Sequence, residues 1–255
     1  MIPRLFHLCW LSGDPYPKKI KFCIDSWKRF NPDYEVMLWD TNRFDVNSTP
    51  WTRQAFERKK YAFVADYIRL YAVYNYGGIY LDSDVEVIRC LDDMLELPYF
   101  VGTEIVDPHL ELAVFGAEKG TKWVKDALGW YEGRDFVRED GSMEQEVQPR
   151  IMGDFMRSVY EWTPVTRKEE VTRDESKLFV FPCEWFNAHP YSEKGGSRYL
   201  ITENTHTIHH YAGQWREEEY AGGLLHKLYY RLFGIDWRLE DRFVRLHGTD
   251  KKKIR

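Results

Sequence analysis

The chain has few cysteines, and none are spaced for zinc or for a disulfide framework. The four cysteines are far apart in the sequence: Cys9, Cys23, Cys90 and Cys183. Zinc sites use closely spaced cysteine pairs such as CxxC, and small disulfide-stapled domains are dense in cysteine. The sequence therefore argues against both classes, and a reducing compartment fits it best.

Long hydrophobic runs and a basic stripe are also missing. No stretch reaches the about 20 apolar residues that span a bilayer, and the run at 5–11 is too short for a secretory core. The 36 Lys and Arg against 41 Asp and Glu give a net charge of −5. Because the basic residues are scattered, we expect no nucleic-acid partner. We expect a cytoplasmic protein, with peripheral contact at the inner face of the membrane as an open alternative.

What the chain does have is enough apolar sequence for one sizeable domain. Of its 255 residues, 44% are hydrophobic and 16% aromatic, which suits a single α/β core. The apolar run at 2–10, helical spacing from Ile20 to Phe30 and the strand-like "YEVMLW" follow in the order strand, helix, strand. This order predicts a parallel arrangement with helices packed on the sheet.

The remaining pattern predicts further alternation of helices and strands. A strongly apolar helix is expected from about 55 to 76, ended by Gly77 and Gly78, then a strand, then strands at "PYFVGTE" and "LELAVFGA". Two helical stretches are expected between about 121 and 160, late strands at "KLFVFPCEWF" and "NTHTIHHYAGQW", and helix from 217 to 245. We expect one catalytic domain over 1–233 and a helical extension with a basic tail over 234–255, packed on it.

Two aspartates interrupt the strand "YGGIYLDSDVEV" at 76–87. Strict strand alternation puts Tyr80, Asp82, Asp84 and Glu86 on one face. Like charges on one face of an inner strand repel each other unless a cation lies beside them, and Mg²⁺ or Mn²⁺ is the simplest such cation. The alternative is a strand end at the surface, with both carboxylates in water.

Two more specific interpretations of the aspartates can be compared with the residues. An EF-hand loop beginning at Asp82 needs glycine at its sixth position and glutamate at its twelfth, where this chain has Val87 and Asp93. The EF-hand is therefore excluded. A phosphatase with an Asp-x-Asp motif is disfavoured because the motif lies in mid-chain, but it stays open as an alternative.

The helix before the motif carries one more charged pair. Asp66 and Arg69 are the only charged residues between Lys60 and Asp82, and their i, i+3 spacing puts them on one helical face. They could form an ion pair that fixes the helix. The functional interpretation is that the short turn after the helix brings both groups beside the aspartates as polar ligands for a sugar.

The 28 residues "YAFVADYIRLYAVYNYGGIYLDSDVEVI" at 61–88 resemble the DxD glycosyltransferase family related to yeast initiating α-1,6-mannosyltransferase and to bacterial capsular polysaccharide transferases. They are also distantly similar to the core of the clostridial glucosylating toxins. The N-terminal "IPRLFHLCWLSGDPYP" resembles the same family. The resemblance implies a GT-A-type, Rossmann-like mixed sheet flanked by helices, a UDP- or GDP-sugar donor, a Mn²⁺ or Mg²⁺ cofactor and retention of anomeric configuration.

The resemblance also implies roles for individual residues in the donor site. Asp84 would ligate the metal directly, and Asp82 would contact the ribose or the metal through water. Asp66 and Arg69 match positions that hold the donor sugar, and Tyr80 matches a donor-pocket tyrosine. These residues, taken together, are the predicted catalytic and donor-binding set.

The two ends of the resemblance add three residues to the site. Trp10 matches a tryptophan that stacks on the nucleobase; a core aromatic is the alternative. The late "HTIHHYAGQW" resembles a segment in which histidine and tryptophan close over the diphosphate, which adds Trp215 to the donor site. Alternation puts His209 and His210 on opposite faces, and we expect His210 to be the third metal ligand, although Gln214 stands where the family commonly has serine.

The resemblance thus implies a metal-dependent retaining glycosyltransferase. Its acceptor is expected to be a saccharide or a lipid-linked oligosaccharide, in capsular or cell-surface polysaccharide synthesis, with Glu104 and Asp107 as weak candidates for acceptor contacts. The aromatic and arginine-rich C-terminal segment suits either a membrane surface or packing on the domain. The alternatives from other classes are a non-catalytic, metal-dependent nucleotide-sugar-binding module and the DxD phosphatase.

Overall fold

The first half of the chain alternates strands and helices. The computed structural model describes residues 1–104, 109–188, 190–193, 196–199 and 201–211. In the first half the elements are β1 (Leu5–Cys9), α1 (Lys18–Phe30), β2 (Glu35–Trp39), α2 (Pro50–Glu57), α3 (Tyr61–Tyr76), β3 (Gly78–Leu81) and β4 (Val85–Val87).

The second half has longer strands followed by helices and short strand pairs. Its elements are β5 (Tyr99–Thr103), β6 (Leu110–Ala117), α4 (Lys122–Gly129), α5 (Gln148–Val159), β7 (Glu161–Pro164), β8 (Lys177–Val180), α6 (Cys183–Phe186), β9 (Pro190–Glu193), β10 (Gly196–Tyr199) and β11 (Thr207–His209). The predicted helix at 217–245, the extension at 234–255, Asp107, Gln214 and Trp215 lie outside the described residues.

Five strands form the central sheet in the order β2-β1-β3-β6-β5. β1 is parallel to both β2 and β3, whereas β6 is antiparallel to β3 and β5. The helix α3 packs on β1, β3 and β6, and α5 packs on β6. The predicted α/β class, a mixed sheet flanked by helices, is confirmed.

The strand order of the central sheet reverses at β1. The chain adds β2 on one side of β1 and then returns to add β3 on the other side. Ligands in open α/β sheets bind outside the carboxyl ends of the strands at such a reversal. The residues that follow β1 and β3 are therefore the ones placed to meet a ligand.

Burial explains which strands are central. All four residues of β3 and all eight of β6 are buried, so these strands are nearly continuous apolar runs, as expected of strands covered on both faces. In α1, by contrast, the buried residues Ile20, Cys23 and Trp27 follow helical spacing, so one stripe faces the core.

Two predictions about local structure were wrong. The helix expected over 55–76 is divided into α2 and α3 by residues 58–60, where Lys59 has a left-handed φ of 57°. The aspartates lie in a turn between β3 and β4, closed by a 3.0 Å hydrogen bond from the Val85 N–H to the Asp82 carbonyl, and not inside one continuous strand. Alternation across 80–86 therefore fails beyond Asp82, and Glu86 faces away from the site.

The turn between α3 and β3 needs glycine at its second position. Gly78 has φ of 103°, and a Cβ atom added to it would lie 2.5 Å from the Leu5 carbonyl oxygen. A larger residue would push β3 away from β1, because that oxygen belongs to the backbone of β1. The close approach of the two strands thus depends on Gly78.

His7 fixes the same turn from inside the sheet. The Trp39 indole N–H donates to His7 Nδ1 at 3.1 Å, so Nδ1 is the acceptor and Nε2 carries the proton that it donates to the Gly77 carbonyl at 2.7 Å. The ring is fully buried, and burial lowers the pKa of His7 to about 4.

The structure has no helix, among the residues it describes, of the length and apolar character needed to cross a bilayer.

We predict that His7 makes stability depend on pH between 6.5 and about 4. In this window the unfolded chain binds a proton on His7 and the folded protein does not, so the free energy of unfolding falls as pH falls, by up to about 3 kcal/mol. Urea unfolding of wild type and His7→Gln at pH 7 and pH 4.5 measures this contribution. Equal losses in the two proteins would contradict it.

Candidate donor and metal site

Acidic side chains gather at the carboxyl end of β3, next to the end of β1. Asp82 follows β3 directly, and its backbone N–H donates to the Ala113 carbonyl of β6 at 2.8 Å. Asp84 lies two residues later, at the far side of the turn. The helix α1 packs against β4 at the end of this turn, and its Trp27 indole donates a hydrogen bond to the Val85 carbonyl at 2.8 Å. The packing of α1 and β6 thus fixes where the two carboxylates project.

Arg69 lies between two of the carboxylates. Its Nη2 atom is 3.0 Å from Asp66 Oδ1 and 3.2 Å from Asp82 Oδ1, and its Nη1 atom donates a hydrogen bond to the Leu112 carbonyl at 3.0 Å. The Arg69 side chain is only 9% exposed. The predicted pair on α3 therefore does reach the aspartate turn, through the arginine.

Tyr80 completes this group. Its hydroxyl donates to Asp82 Oδ1 at 2.7 Å, and the Arg69 guanidinium carbon lies 4.8 Å from the centre of its ring. Tyr80 is therefore both a hydrogen-bond partner of Asp82 and a cation-π partner of Arg69. Four of the predicted site residues, Asp66, Arg69, Tyr80 and Asp82, form one connected cluster.

His209, and not His210, lies beside the aspartates. His209 Nε2 is 3.5 Å from Asp84 Oδ1, whereas His210 Nε2 is 2.9 Å from Glu86 Oε2 on the other side of β4. The antiparallel pairing of β11 with β4 sets His209 opposite Val85. The two histidines face opposite ways, as expected, but the one beside the aspartates is His209 and not His210, which was expected there.

Ligand atoms of Asp82, Asp84 and His209 lie within 4.8 Å of one another. Two carboxylates and an imidazole suit Mn²⁺ or Mg²⁺, which prefer oxygen ligands, with imidazole accepted by transition metals. The charge balance agrees, because the four carboxylates of Asp66, Asp82, Asp84 and Glu111 face one arginine and one histidine among the residues that the structure describes. The residues present therefore fit a divalent cation.

Glu111, which we did not predict from the sequence, is buried at the edge of this cluster. Its Oε1 accepts the Ala113 N–H at 2.6 Å, and its Oε2 accepts from Asn187 Nδ2 at 2.7 Å and from the Tyr211 hydroxyl at 3.3 Å. The only available signal was a lone acidic residue in the apolar strand "LELAVFGA". Such a residue is rarely buried unless it is paired.

Burial and charge act in opposite directions on the titratable groups of the site. Burial raises the pKa of Asp66 to about 7, against the effect of Arg69. Burial alone would lower the pKa of His209, but Asp84 and Glu111 raise it above the usual value for histidine. Burial would also raise the pKa of Glu111, and its interactions with His209 and the Ala113 N–H lower it instead.

Three buried polar atoms in the site have no hydrogen-bond partner among the described residues: Arg69 Nε, Asn187 Oδ1 and His209 Nδ1. Such atoms are costly to leave unpaired. Their concentration here favours a polar ligand in contact with this region of the protein.

Trp10 lies at the same edge of the sheet. It follows β1, its backbone N–H donates to the Trp39 carbonyl at 2.9 Å, and its indole N–H donates to the Asp14 carbonyl at 2.8 Å. The ring is half-buried and makes an edge contact with Tyr16, with 4.9 Å between centroids. Trp10 thus follows the strand that pairs with β3, and its stacking role stays a prediction.

Comparison with known families agrees with the geometry. Residues 17–101 match the family described as glycosyltransferase sugar-binding region containing DXD motif. This segment includes α3, the aspartate turn and Tyr80. The resemblance predicted from the sequence is confirmed, and the chain is similar to DXD glycosyltransferases through this region.

Several of the similar curated proteins come from yeasts. The chain is 36% identical over 107 residues to inositol phosphoceramide mannosyltransferase 3 of Schizosaccharomyces pombe, covering 39% of this chain and 29% of that protein. It is 32% identical over 108 residues to mannosyl phosphorylinositol ceramide synthase CSH1 of Saccharomyces cerevisiae, covering 40% and 28%. The matched region therefore spans about three tenths of each of these relatives.

Two solved structures with some similarity to this chain are named as glycosyltransferases. PaToxG glycosyltransferase matches with 17% identity and a TM-score of 0.47, over 62% of this chain and 69% of that chain. Glycosyltransferase GlyE of Streptococcus pneumoniae matches with 12% identity and a TM-score of 0.43, over 96% and 64%.

We predict that Arg69→Met lowers the free energy of unfolding by about 3 to 5 kcal/mol, because it leaves buried carboxylates without their counter-charge. Adding Asp66→Asn should recover part of this loss. Chemical denaturation of the single and double variants measures both effects.

Arg173→Met is the matched control, because Arg173 pairs with Glu118 while its own side chain is 68% exposed. It should cost little or nothing. An Arg69→Met protein as stable as wild type would contradict the role of Arg69 as the counter-charge.

Proposed function

We propose that the protein is a metal-dependent retaining glycosyltransferase that moves a sugar from a nucleotide-diphosphate sugar to a saccharide or lipid-linked oligosaccharide. One observation supports the proposal above the others: ion pairs and a hydrogen bond connect Asp66, Arg69 and Tyr80 to Asp82 in the aspartate turn. All of these residues lie within the segment that matches the DXD family. A structural ion pair alone would not need the second aspartate or the histidine beside it.

Asp82, Asp84 and His209 are the residues that would hold Mn²⁺ or Mg²⁺. A bound divalent ion supplies positive charge that neutralises the leaving diphosphate. The protein's part is to present the ligand atoms together at the carboxyl end of β3. His209 replaces His210 in this proposal, for the geometric reason given above.

Asp66 and Arg69 would hold the donor sugar. Arg69 Nε has no hydrogen-bond partner among the described residues, and the side chain lies beside the aspartate turn, where it would add positive charge near the diphosphate. The Asp66 carboxylate accepts hydrogen bonds and would orient sugar hydroxyls, so that the acceptor meets a positioned anomeric carbon. Retention implies attack from the leaving-group face, which demands no separate catalytic base.

Mannose is the first donor sugar to test, because the yeast relatives are mannosyltransferases by name. The acceptor class and a role in capsular or cell-surface polysaccharide synthesis rest on the resemblance alone. Contact with the inner face of a membrane belongs to the same proposal, since a lipid-linked acceptor would be presented there. Glu104 remains a candidate acceptor contact.

A panel of UDP- and GDP-sugars, with and without Mn²⁺, tests the proposal against its alternatives. We expect metal-dependent loss of one donor, measured as release of the nucleoside diphosphate by chromatography. Asp84→Asn should abolish that turnover and leave the circular dichroism spectrum unchanged, because it removes a ligand charge and preserves shape.

Other outcomes of the panel separate the alternative functions. Donor binding without hydrolysis or transfer would favour a non-catalytic nucleotide-sugar-binding module. Phosphate release from simple phosphomonoesters would favour the DxD phosphatase. Full turnover in Asp84→Asn would overturn the assignment of the metal site.

We predict that Trp10→Ala weakens binding of the free nucleoside diphosphate by about tenfold, because base stacking on an aromatic ring is worth about 1 to 3 kcal/mol. Isothermal titration with UDP and GDP measures the change. Tyr16→Ala is the control, since it removes the ring that contacts Trp10 and leaves the indole. An unchanged dissociation constant in Trp10→Ala would make Trp10 a packing residue only.

A further inference from the structure

We propose that Glu111 is a positioning residue that, together with Asn187 and Tyr211, orients the His209 ring so that Nε2 faces Asp82 and Asp84. The proposal rests on the function proposed above. It deepens that function by assigning a role to a buried cluster outside the matched family segment, since all of these residues follow residue 101.

The Glu111 carboxylate is held rigidly. It is 2% exposed, and three donors fix it: the Ala113 N–H, Asn187 Nδ2 and the Tyr211 hydroxyl. Asn187 Nδ2 also donates to the Tyr211 hydroxyl, so the three side chains close a triangle. A carboxylate fixed in this way can orient a neighbouring group without moving itself.

The His209 ring lies between two carboxylates. Nε2 is 3.5 Å from Asp84 Oδ1, and Nδ1 is 3.9 Å from Glu111 Oε2, with no hydrogen-bond partner for Nδ1 among the described residues. Histidines that ligate metals generally donate their other ring N–H to a carboxylate, which fixes the tautomer and the ring orientation. Glu111 is on the side of the ring where that carboxylate is needed.

Tyr211, which lies two residues after the end of β11, contacts both His209 and Glu111. Its ring stacks on His209 with 3.9 Å between centroids and 25° between planes, and its backbone has a left-handed φ of 47°. That conformation is uncommon for a bulky residue and persists only where surrounding contacts hold it. The hydrogen bonds from Tyr211 and Asn187 to Glu111 provide such contacts.

A purely structural role for Glu111 would predict a different result from a positioning role. If Glu111 only satisfies Asn187 and Tyr211, replacing it affects stability and leaves metal affinity intact. If it orients His209, replacing it weakens the metal site even when the protein stays folded. Metal affinity, measured without any substrate, therefore separates the two roles.

The experiment is a titration of wild type and Glu111→Gln with Mn²⁺, with free Mn²⁺ measured by electron paramagnetic resonance. We expect Mn²⁺ to bind the variant 10- to 100-fold more weakly, the range typical for loss of such a carboxylate partner. Glu86→Gln is the matched control, because Glu86 pairs with the neighbouring His210, which faces away from the aspartates. It should leave the Mn²⁺ affinity within a factor of two or so of wild type.

A second set of variants keeps the test decisive. If Glu111 acts through the ring, Glu111→Gln should weaken Mn²⁺ binding no further in a His209→Ala background. Tyr211→Phe, which removes one donor to Glu111 and keeps the ring stack, should cause a smaller weakening and serves if Glu111→Gln does not fold.

The Mn²⁺ affinities of these variants test the positioning role of Glu111 separately from the proposed transferase activity. Equal Mn²⁺ affinity in wild type, Glu111→Gln and Tyr211→Phe would overturn the positioning role while leaving the proposed transferase intact. Additive losses in the His209→Ala background would also overturn it. Failure of wild type to bind Mn²⁺ would overturn both proposals, whereas Mn²⁺ binding with no donor turnover would count against the transferase alone.

Discussion

The site contains more carboxylates than basic groups, and its structure depends on this imbalance of charge. Asp66, Asp82, Asp84 and Glu111 bring four carboxylates to one edge of the sheet, and in the described part of the chain Arg69 is the one guanidinium among them. Arg69 contacts two of these carboxylates directly, Asp66 and Asp82, and is itself nearly buried. His209 lies beside Asp84 and Glu111, and it cannot be a neutral metal ligand and a compensating cation at the same time.

This imbalance explains why the backbone must hold Arg69 and the aspartate turn at fixed positions relative to each other. The aspartate turn is reached by a tight connection from α3, in which Gly78 has no room for a side chain and His7 holds the preceding carbonyl. A shift in that connection would separate Arg69 on α3 from Asp82 after β3. Since unpaired buried charges cost several kcal/mol, the turn and the arginine must be placed together.

The sequence predicted the parts of the site that are local. Asp66 and Arg69 are three residues apart in a helix, and Tyr80 and Asp82 are two apart at a strand end, so periodicity indicated that each pair shares a face. It did not indicate that Asp82 to Asp84 is a turn, because "DSD" between apolar strand residues is compatible with either structure.

The parts that depend on long-range pairing could not be read from the sequence. Alternation shows that His209 and His210 face opposite ways, but which one meets Asp84 is set by the register of β11 on β4. Glu111 belongs to the site because β6 pairs with β3 and because Asn187 and Tyr211 reach it from 76 and 100 residues away. No local pattern carries such information.

We propose that Asp82, Asp84 and His209 form one divalent cation site. Anomalous diffraction from crystals grown with Mn²⁺ and a nucleoside diphosphate is the decisive test of this site. We expect one strong manganese peak about 2 Å from an oxygen of Asp84 and from His209 Nε2. A peak at Glu86 and His210, or no peak at the aspartate turn under saturating Mn²⁺, would contradict it.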